Sequence, residues 1–341
     1  MPSLEKTPSK ILIIIIKGIG DVILTEPCAQ VVKHNYPKAQ LDFLVNKDGA
    51  PVLANNPYID HVITYDRKHP VKELFRIRAR KYDWVVDLSV NNPRPAMITA
   101  FCGAPVRAGA RRCGHSFYAY NVKFPNNHLY ESDYKLACLK HLGLTWPDEH
   151  APLAKYYMTP QEMAFRDQTY NDLGVKDGEM IMGFYPTPRY ETRRWPAGQY
   201  RETAKLLYEK YKARIFVFYG PGEEDLAKAV THDMPSYIQL APAAKNLGDV
   251  MALLSRLSIF IASCGGTKHM ALAAGVPTVT VHTVNHADVW TPLFDPKHRA
   301  VSADVPCSPC FRGKIGCDKN LECMSNVTPQ AVFEEAKKIL G

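Results

Sequence analysis

Residues 11–27, ILIIIIKGIGDVILTEP, set six consecutive aliphatic side chains ahead of a loop opened by Gly18 and Gly20. An apolar run without polar alternation suits a strand covered on both faces, as strands are inside a parallel sheet. The pattern recurs outward from this stretch. Apolar runs at Ile11–Ile16, Leu41–Val45, His61–Thr64 and Trp84–Leu88 alternate with helical patterns, and the last is closed by the breaker cluster NNPRP at 91–95. This order predicts a doubly wound α/β domain.

The alternation lapses over 152–177, where a polar helical stretch, TPQEMAFRDQTYNDLG, ends in glycine, and it resumes at Met180–Phe184, Arg214–Tyr219, Ser258–Ala262 and Pro277–His282. A chain of 341 residues exceeds one typical core and suits two domains of about 150 to 170 residues. The expected division is a first α/β domain over 1–160, a linker over about 161–177 and a second α/β domain over 178–341. A closing helix is expected over about 328–340, with Thr328 as N-cap and Pro329 at the first helical position.

The loop after the first apolar run is not a dinucleotide fingerprint. In G-x-G-x-x-G the third glycine allows close helix packing, and here Ile23 stands in its place. Asp21 follows Gly20 directly and puts a carboxylate where a bound anion would sit. At the C-terminal edge of a strand such an acid can accept a proton from a substrate hydroxyl, with Gly18 and Gly20 letting that substrate come close to the backbone. The same residue can instead cap the following helix.

The formal charge of +8 is uneven: residues 1–155 hold 21 Lys+Arg against 14 Asp+Glu, and the remainder holds 21 against 20. The densest basic runs, RKHPVKELFRIRARK from Arg67 and RAGARRCG from Arg107, suit an anionic acceptor or an acidic membrane surface, or else a solvated helix face. The longest unbroken apolar run is far shorter than the roughly 20 residues of a membrane span, and no signal peptide is evident, so the cytoplasm is the expected location. Nine cysteines without a secretory signal point to reduced thiols. Four of them, Cys307, Cys310, Cys317 and Cys323, are spaced C-x2-C-x6-C-x5-C. That half-matches zinc spacing, but the expectation is plain thiols and no metal.

Taken in order, KGIGDVILTEP, YPKAQLDFLV, NPYIDHVITYD, YDWVVDLSVNNPR, APVRAGARR, RRWPAGQY, VFYGPGEE, GGTKHMALAAGVPTV and CSPCF…CMSNVTPQAV resemble the ADP-heptose:lipopolysaccharide heptosyltransferases, glycosyltransferase family nine. The resemblance covers most of the chain. It implies a GT-B fold, two Rossmann-like domains with parallel sheets facing across a cleft, with acceptor on the first and sugar nucleotide on the second. It further implies inverting transfer of a sugar, heptose from ADP-heptose, to a lipopolysaccharide core or related envelope glycan. No cofactor and no catalytic metal are implied, and Asp21 maps onto the family's general base. Implied partners are the nucleotide-sugar donor and an anionic glycolipid acceptor, with peripheral contact at the inner face of the inner membrane and no nucleic acid.

The donor site is expected at Thr187, Arg189, Arg193 and Arg194, because arginine forks bind diphosphate oxygens in pairs. The family usually has lysine at or near Arg193. The amides of Gly265, Gly266 and Thr267 open a helix after a strand and can face phosphate, and His269 matches the histidine of the family's D-T-G-P-M-H pattern. Gly18, Gly20 and Arg94 are expected on the acceptor side. Cys264 and Gly265 stand where the family has Asp-Thr, which removes a donor-side carboxylate, and Thr283, Val284 and Asn285 replace its Gly-Pro-Thr. Cys264 reads as a small turn residue rather than a nucleophile. The alternative function is a catalytically inactive GT-B relative that binds a nucleotide sugar or glycan. A dinucleotide oxidoreductase is disfavoured by the absent third glycine.

Overall fold

The computed structural model describes residues 6–89, 92–110, 120–124, 129–282, 286–310 and 317–341. The chain divides into two compact units, Met1–Tyr157 and Met158–Gly341. In the first, strands β1 (Lys10–Ile15), β2 (Gln40–Val45), β3 (His61–Thr64), β4 (Trp84–Asp87), β5 (Val106–Ala110) and β6 (Val122–Phe124) alternate with helices α1 (Ile19–Ile23), α2 (Pro27–Asn35), α3 (Pro70–Ala79), α4 (Pro93–Phe101) and α5 (Glu131–His141). All neighbouring strands pair in parallel, in the order β3-β2-β1-β4-β5-β6.

The unbroken aliphatic run of β1 is explained by its place at the centre. Leu12, Ile14 and Ile16 pack with Ile77 of α3 and with Ile98 and Cys102 at α4, while the odd-numbered Ile11, Ile13 and Ile15 point to the opposite face and are equally buried.

The second unit opens with α6 (Pro160–Asp172). It continues through β7 (Ile181–Tyr185), α7 (Ala197–Tyr211), β8 (Arg214–Val217), α8 (Glu224–Thr231), β9 (Ile238–Leu240), α9 (Leu247–Ser255), β10 (Ile259–Ser263), α10 (Gly266–Ala273), β11 (Thr278–Val281), α11 (Ala287–Trp290), β12 (His298–Val301), α12 (Glu322–Ser325) and α13 (Pro329–Leu340). Its parallel sheet runs β12-β11-β10-β7-β8-β9. In both sheets the unit's first strand is central, the next two lie to one side and the last three to the other, which is the doubly wound order. The two sheets and their covering helices make the fold class α/β, GT-B.

Helix α6 covers most of the stretch read as a linker. Thr159 and Glu162 close a capping box at its start. At its far end Tyr170 is buried and donates to the Leu253 carbonyl of α9 at 2.9 Å, so the helix packs into the second unit. At the other end of that unit the Thr328 hydroxyl accepts from the Ala331 amide and caps α13, with Pro329 in its first turn.

Candidate active site

In an open parallel sheet of this order, the crevice for ligands lies beyond the C-terminal ends of the strands on either side of the point where the winding reverses. For the first unit that point falls between β1 and β4. The loop leaving β1 is held there by side chains from two neighbouring strand ends. Ser89 accepts from the Ile16 amide at 2.8 Å, Asn92 donates to the Ile16 carbonyl at 3.0 Å, and Asn46, just past β2, donates to the Lys17 carbonyl at 2.8 Å. Asn92 also caps α4 by accepting from the Arg94 amide.

This loop presents Asp21 in the first turn of α1. The N-cap of that helix is Gly18, with no side-chain bond, so Asp21 does not cap it. Instead its Oδ1 pairs with Lys17 Nζ at 3.2 Å, with the two side chains 22% and 30% exposed, and Oδ2 lies over Gly18. A β-carbon on Gly18 would stand 3.7 Å from Oδ2, in ordinary van der Waals contact with the carboxylate. Gly20 is the second residue of the helix, and Arg94 is exposed in the first turn of α4.

A second acid, Asp87, ends β4 and is buried. It accepts from Tyr120 Oη at 2.5 Å and from the Ser89 amide at 2.8 Å. Burial pushes its carboxyl up to about 6, against the lowering effect of those two donors and of the Lys17 charge. The loop sequence singled out Asp21 and missed Asp87, whose surroundings arise only when β5 and Tyr120 are in place.

In the second unit the reversal lies between β7 and β10, and the expected donor residues gather there. Trp195 donates its amide to Ser263 Oγ at 3.2 Å and its indole to the Val327 carbonyl at 2.9 Å. Tyr200 Oη donates to the Tyr185 carbonyl. These bonds fix the Thr187–Arg194 loop over the strand ends, and Pro188 packs beside Gly265, the N-cap of α10. The guanidinium carbons of Arg189 and Arg193 lie 5.7 and 5.2 Å from the Tyr190 ring centre. Arg193 Nε is buried with no hydrogen-bond partner among the described residues, and Arg194 Nε reaches the Pro188 carbonyl at 3.5 Å.

Gly265 has no side-chain cap to offer, which leaves the first amides of α10, including those of Gly266 and Thr267, without one. His269 is buried one turn in and meets Trp290 edge-on at 6.3 Å. The Thr187 hydroxyl is turned away from this surface: it donates to Glu223 Oε2 at 2.6 Å, an oxygen that also accepts from Tyr185 Oη and the Gly220 amide. The Thr267 hydroxyl reaches the same Tyr185 phenol.

Three groups here escaped the sequence reading. Besides Glu223, Lys268 is buried, donating to the Trp290 carbonyl at 2.7 Å and to Thr291 Oγ1 at 2.8 Å, and burial lowers its pKa to about 8. His282, 3.3 Å from that ammonium, is held well below its usual range by burial and by the charges of Lys268 and Arg193. Cations, an orphaned guanidinium donor and a helix N-terminus therefore concentrate positive potential at one edge, which is what an anion needs.

Thr283, Val284 and Asn285 lie outside the described residues, as do 111–114 of the second basic run and 311–316 of the cysteine loop. Of that loop's thiols, Cys323 is buried in the core of the second unit, Cys307 and Cys310 are half-buried and Cys317 is exposed. Among the described residues no cluster of three His, Cys, Asp or Glu side chains forms a metal site, and no helix is long and apolar enough to cross a membrane.

The chain matches the model of glycosyltransferase family 9 (heptosyltransferase) over residues 72–319. It is 24% identical to lipopolysaccharide heptosyltransferase 2 of Escherichia coli K12 over 349 aligned positions, covering 97% of this chain and 98% of that one. Its fold is similar to that of a family 9 glycosyl transferase from Veillonella parvula, with a TM-score of 0.82 at 20% identity and 97% of each chain covered. It is also similar to the E. coli heptosyltransferase WaaC with ADP-2-deoxy-2-fluoro heptose, with a TM-score of 0.72 at 19% identity, 96% of this chain and 99% of that one.

Proposed function

The chain belongs to glycosyltransferase family 9, the heptosyltransferases, and from that premise we propose that it transfers heptose from ADP-heptose to a lipopolysaccharide core with inversion, using Asp21 as general base. The observation that carries the assignment is the Asp21 carboxylate, part-exposed at the strand-reversal point of the first unit, with one oxygen on Lys17 and the other over a glycine.

The acceptor hydroxyl gives its proton to Asp21 as its oxygen attacks the anomeric carbon, and the bond from that carbon to the diphosphate oxygen breaks. Charge then collects on the departing ADP. Arg193, Arg194 and the amides opening α10 answer it, and the buried Lys268 adds to the same potential. Lys17 keeps the Asp21 carboxylate turned toward its own loop. The relatives support the donor and acceptor classes: one acts on lipopolysaccharide by name and another is seen with an ADP-heptose analogue. The acceptor's lipid anchor places the reaction at the inner face of the inner membrane.

The absence of a carboxylate at Cys264 favours, as second reading, a relative that binds but does not transfer. One experiment separates the two. With ADP-heptose and purified core acceptor, ADP release by Asp21→Asn is expected to fall about 10²- to 10⁴-fold while donor affinity holds. Turnover within a few-fold of the parent would remove Asp21 from the chemistry, and no turnover by the parent would favour the binder.

A further inference from the structure

The surfaces of α3 and α4 turned to solvent carry large apolar side chains among their charged ones. On α3, Leu74 and Ile77 pack into the core, while Val71 and Phe75, one turn apart, are 62% and 70% exposed. On α4, Ile98 packs inward, while Met97 and Phe101 are 46% and 57% exposed. The two stripes are tied together: Arg78 Nη1 donates to the Phe101 carbonyl at 3.0 Å and its guanidinium lies over Gly103. Four large apolar side chains are therefore exposed on two helices joined by this bond, two on each and a turn apart.

The charge around them names the occupant. Residues 67–81 hold seven Lys+Arg against one acid, Glu73, and Glu73 is buried against Arg76. Lys68 and Lys72 are exposed, as is Arg94 at the start of α4. A second copy of the chain, meeting this face by two-fold symmetry, would bring two strongly positive patches together. A bilayer rich in acidic headgroups instead offers negative charge for the lysines and an apolar layer for the aromatic tips.

We propose that the α3–α4 face docks on the acidic surface of a lipid bilayer, with Phe75 and Phe101 entering the headgroup boundary and the lysines of residues 67–81 on the phosphates. This deepens the inner-membrane location proposed above by naming the face that docks, and it rests on that reading only for the reason such docking is useful, namely that the acceptor is lipid-anchored. The test therefore omits the acceptor.

Full-length protein is sedimented with vesicles of phosphatidylcholine alone or mixed with phosphatidylglycerol. Binding is expected to be at least about tenfold stronger on the mixed vesicles and to weaken as salt is raised. Phe75→Ser/Phe101→Ser should cut it by roughly tenfold, and Lys68→Glu/Lys72→Glu should abolish the preference for the acidic lipid. Both variants alter exposed side chains, and an unchanged melting temperature and ADP affinity establish that they are folded. Equal binding of the parent to both vesicles, or of the Phe75/Phe101 variant and the parent to the mixed ones, overturns the proposal. So does a patch-dependent dimer, or an acidic protein partner, in place of lipid binding.

Discussion

Glu26, five residues beyond Asp21, shows what a buried carboxylate does to the molecule as pH changes. Its Oε1 accepts from Asn56 Nδ2 at 2.7 Å and its Oε2 from the Lys155 amide at 3.0 Å, which ties the end of the first unit to α2. Burial outweighs these bonds and raises its pKa from 4.5 to about 7. Between those values the folded chain keeps a proton that the unfolded chain has lost. Stability conferred by this group is thus present below about pH 4.5 and is lost as pH rises through 7. Glu26→Gln keeps one of the two acceptor oxygens and removes the charge, so beyond a pH-independent cost for the lost bond its stability relative to the parent should climb across that window, by up to about 3 kcal/mol. Denaturant titrations of both proteins at several pH values check this, and a pH-independent difference would contradict it. Individual residues were unevenly legible. Asp21 stood out because a strand, two glycines and an acid are contiguous, but its choice between cap and base turns on Lys17 and Gly18 in three dimensions. Lys268 and His282 were invisible because their perturbation comes from burial and from each other, which spacing along a chain does not encode.

Among the elements, β5 illustrates why some strands could not be read. Its sequence, VRAGA, has two alanines and a glycine where strand propensity asks for branched or aromatic residues. Gly109 is nonetheless required, because a β-carbon there would run into the Tyr120 ring, and that ring carries the hydroxyl that satisfies Asp87. Gly109→Ala should cost about 1–3 kcal/mol by overpacking, while Tyr120→Phe, which keeps the ring and deletes the donor, should cost a similar amount through the under-satisfied acid. Urea unfolding of the two variants tests the pair, and if Gly109→Ala is neutral the close contact is absent in solution. The strands β6, β9 and β12 were missed for another reason. They are sheet edges of three or four residues, paired on one side only, so they need no long apolar run; the remaining edge, β3, was legible from the branched run HVIT. The central strands β1, β4, β7 and β10 are enclosed and therefore announce themselves. Helix α13 was legible from its Thr-Pro start and α6 from a polar helical pattern closed by glycine, both local signals.

At the scale of the whole molecule, the proposed function puts the acceptor on the first unit and the donor on the second, each at a reversal of the same strand order, and this separation is measurable. In hydrogen exchange on the intact protein, ADP should slow the amides around 187–195 and 264–269 and leave those around 16–25 unchanged. Arg193→Ala/Arg194→Ala should weaken ADP binding by about 10²- to 10⁴-fold, since each of the two charge-assisted contacts contributes about 1.5–3 kcal/mol. An unaltered affinity in calorimetry would relocate the diphosphate. The doubled α/β plan could be read because apolar runs mark each buried strand. The first unit ends at Tyr157, close to the expected 160, but the membership of α6 in the second unit could not be read, because this helix is polar on its surface and reveals its allegiance through Tyr170. The all-parallel pairing has a further consequence for how the chain is made. Ile11 is flanked by Leu41 and Trp84, so no hairpin can cover β1 as it leaves the ribosome, and closing such long loops precedes any reward from contact. The aliphatic hexapeptide at the heart of the first sheet must wait during translation until Trp84 has emerged before its second flank can be covered, as β7 must wait for β10 in the second unit. In that interval it is the chain's foremost aggregation hazard and its clearest holding site for a chaperone.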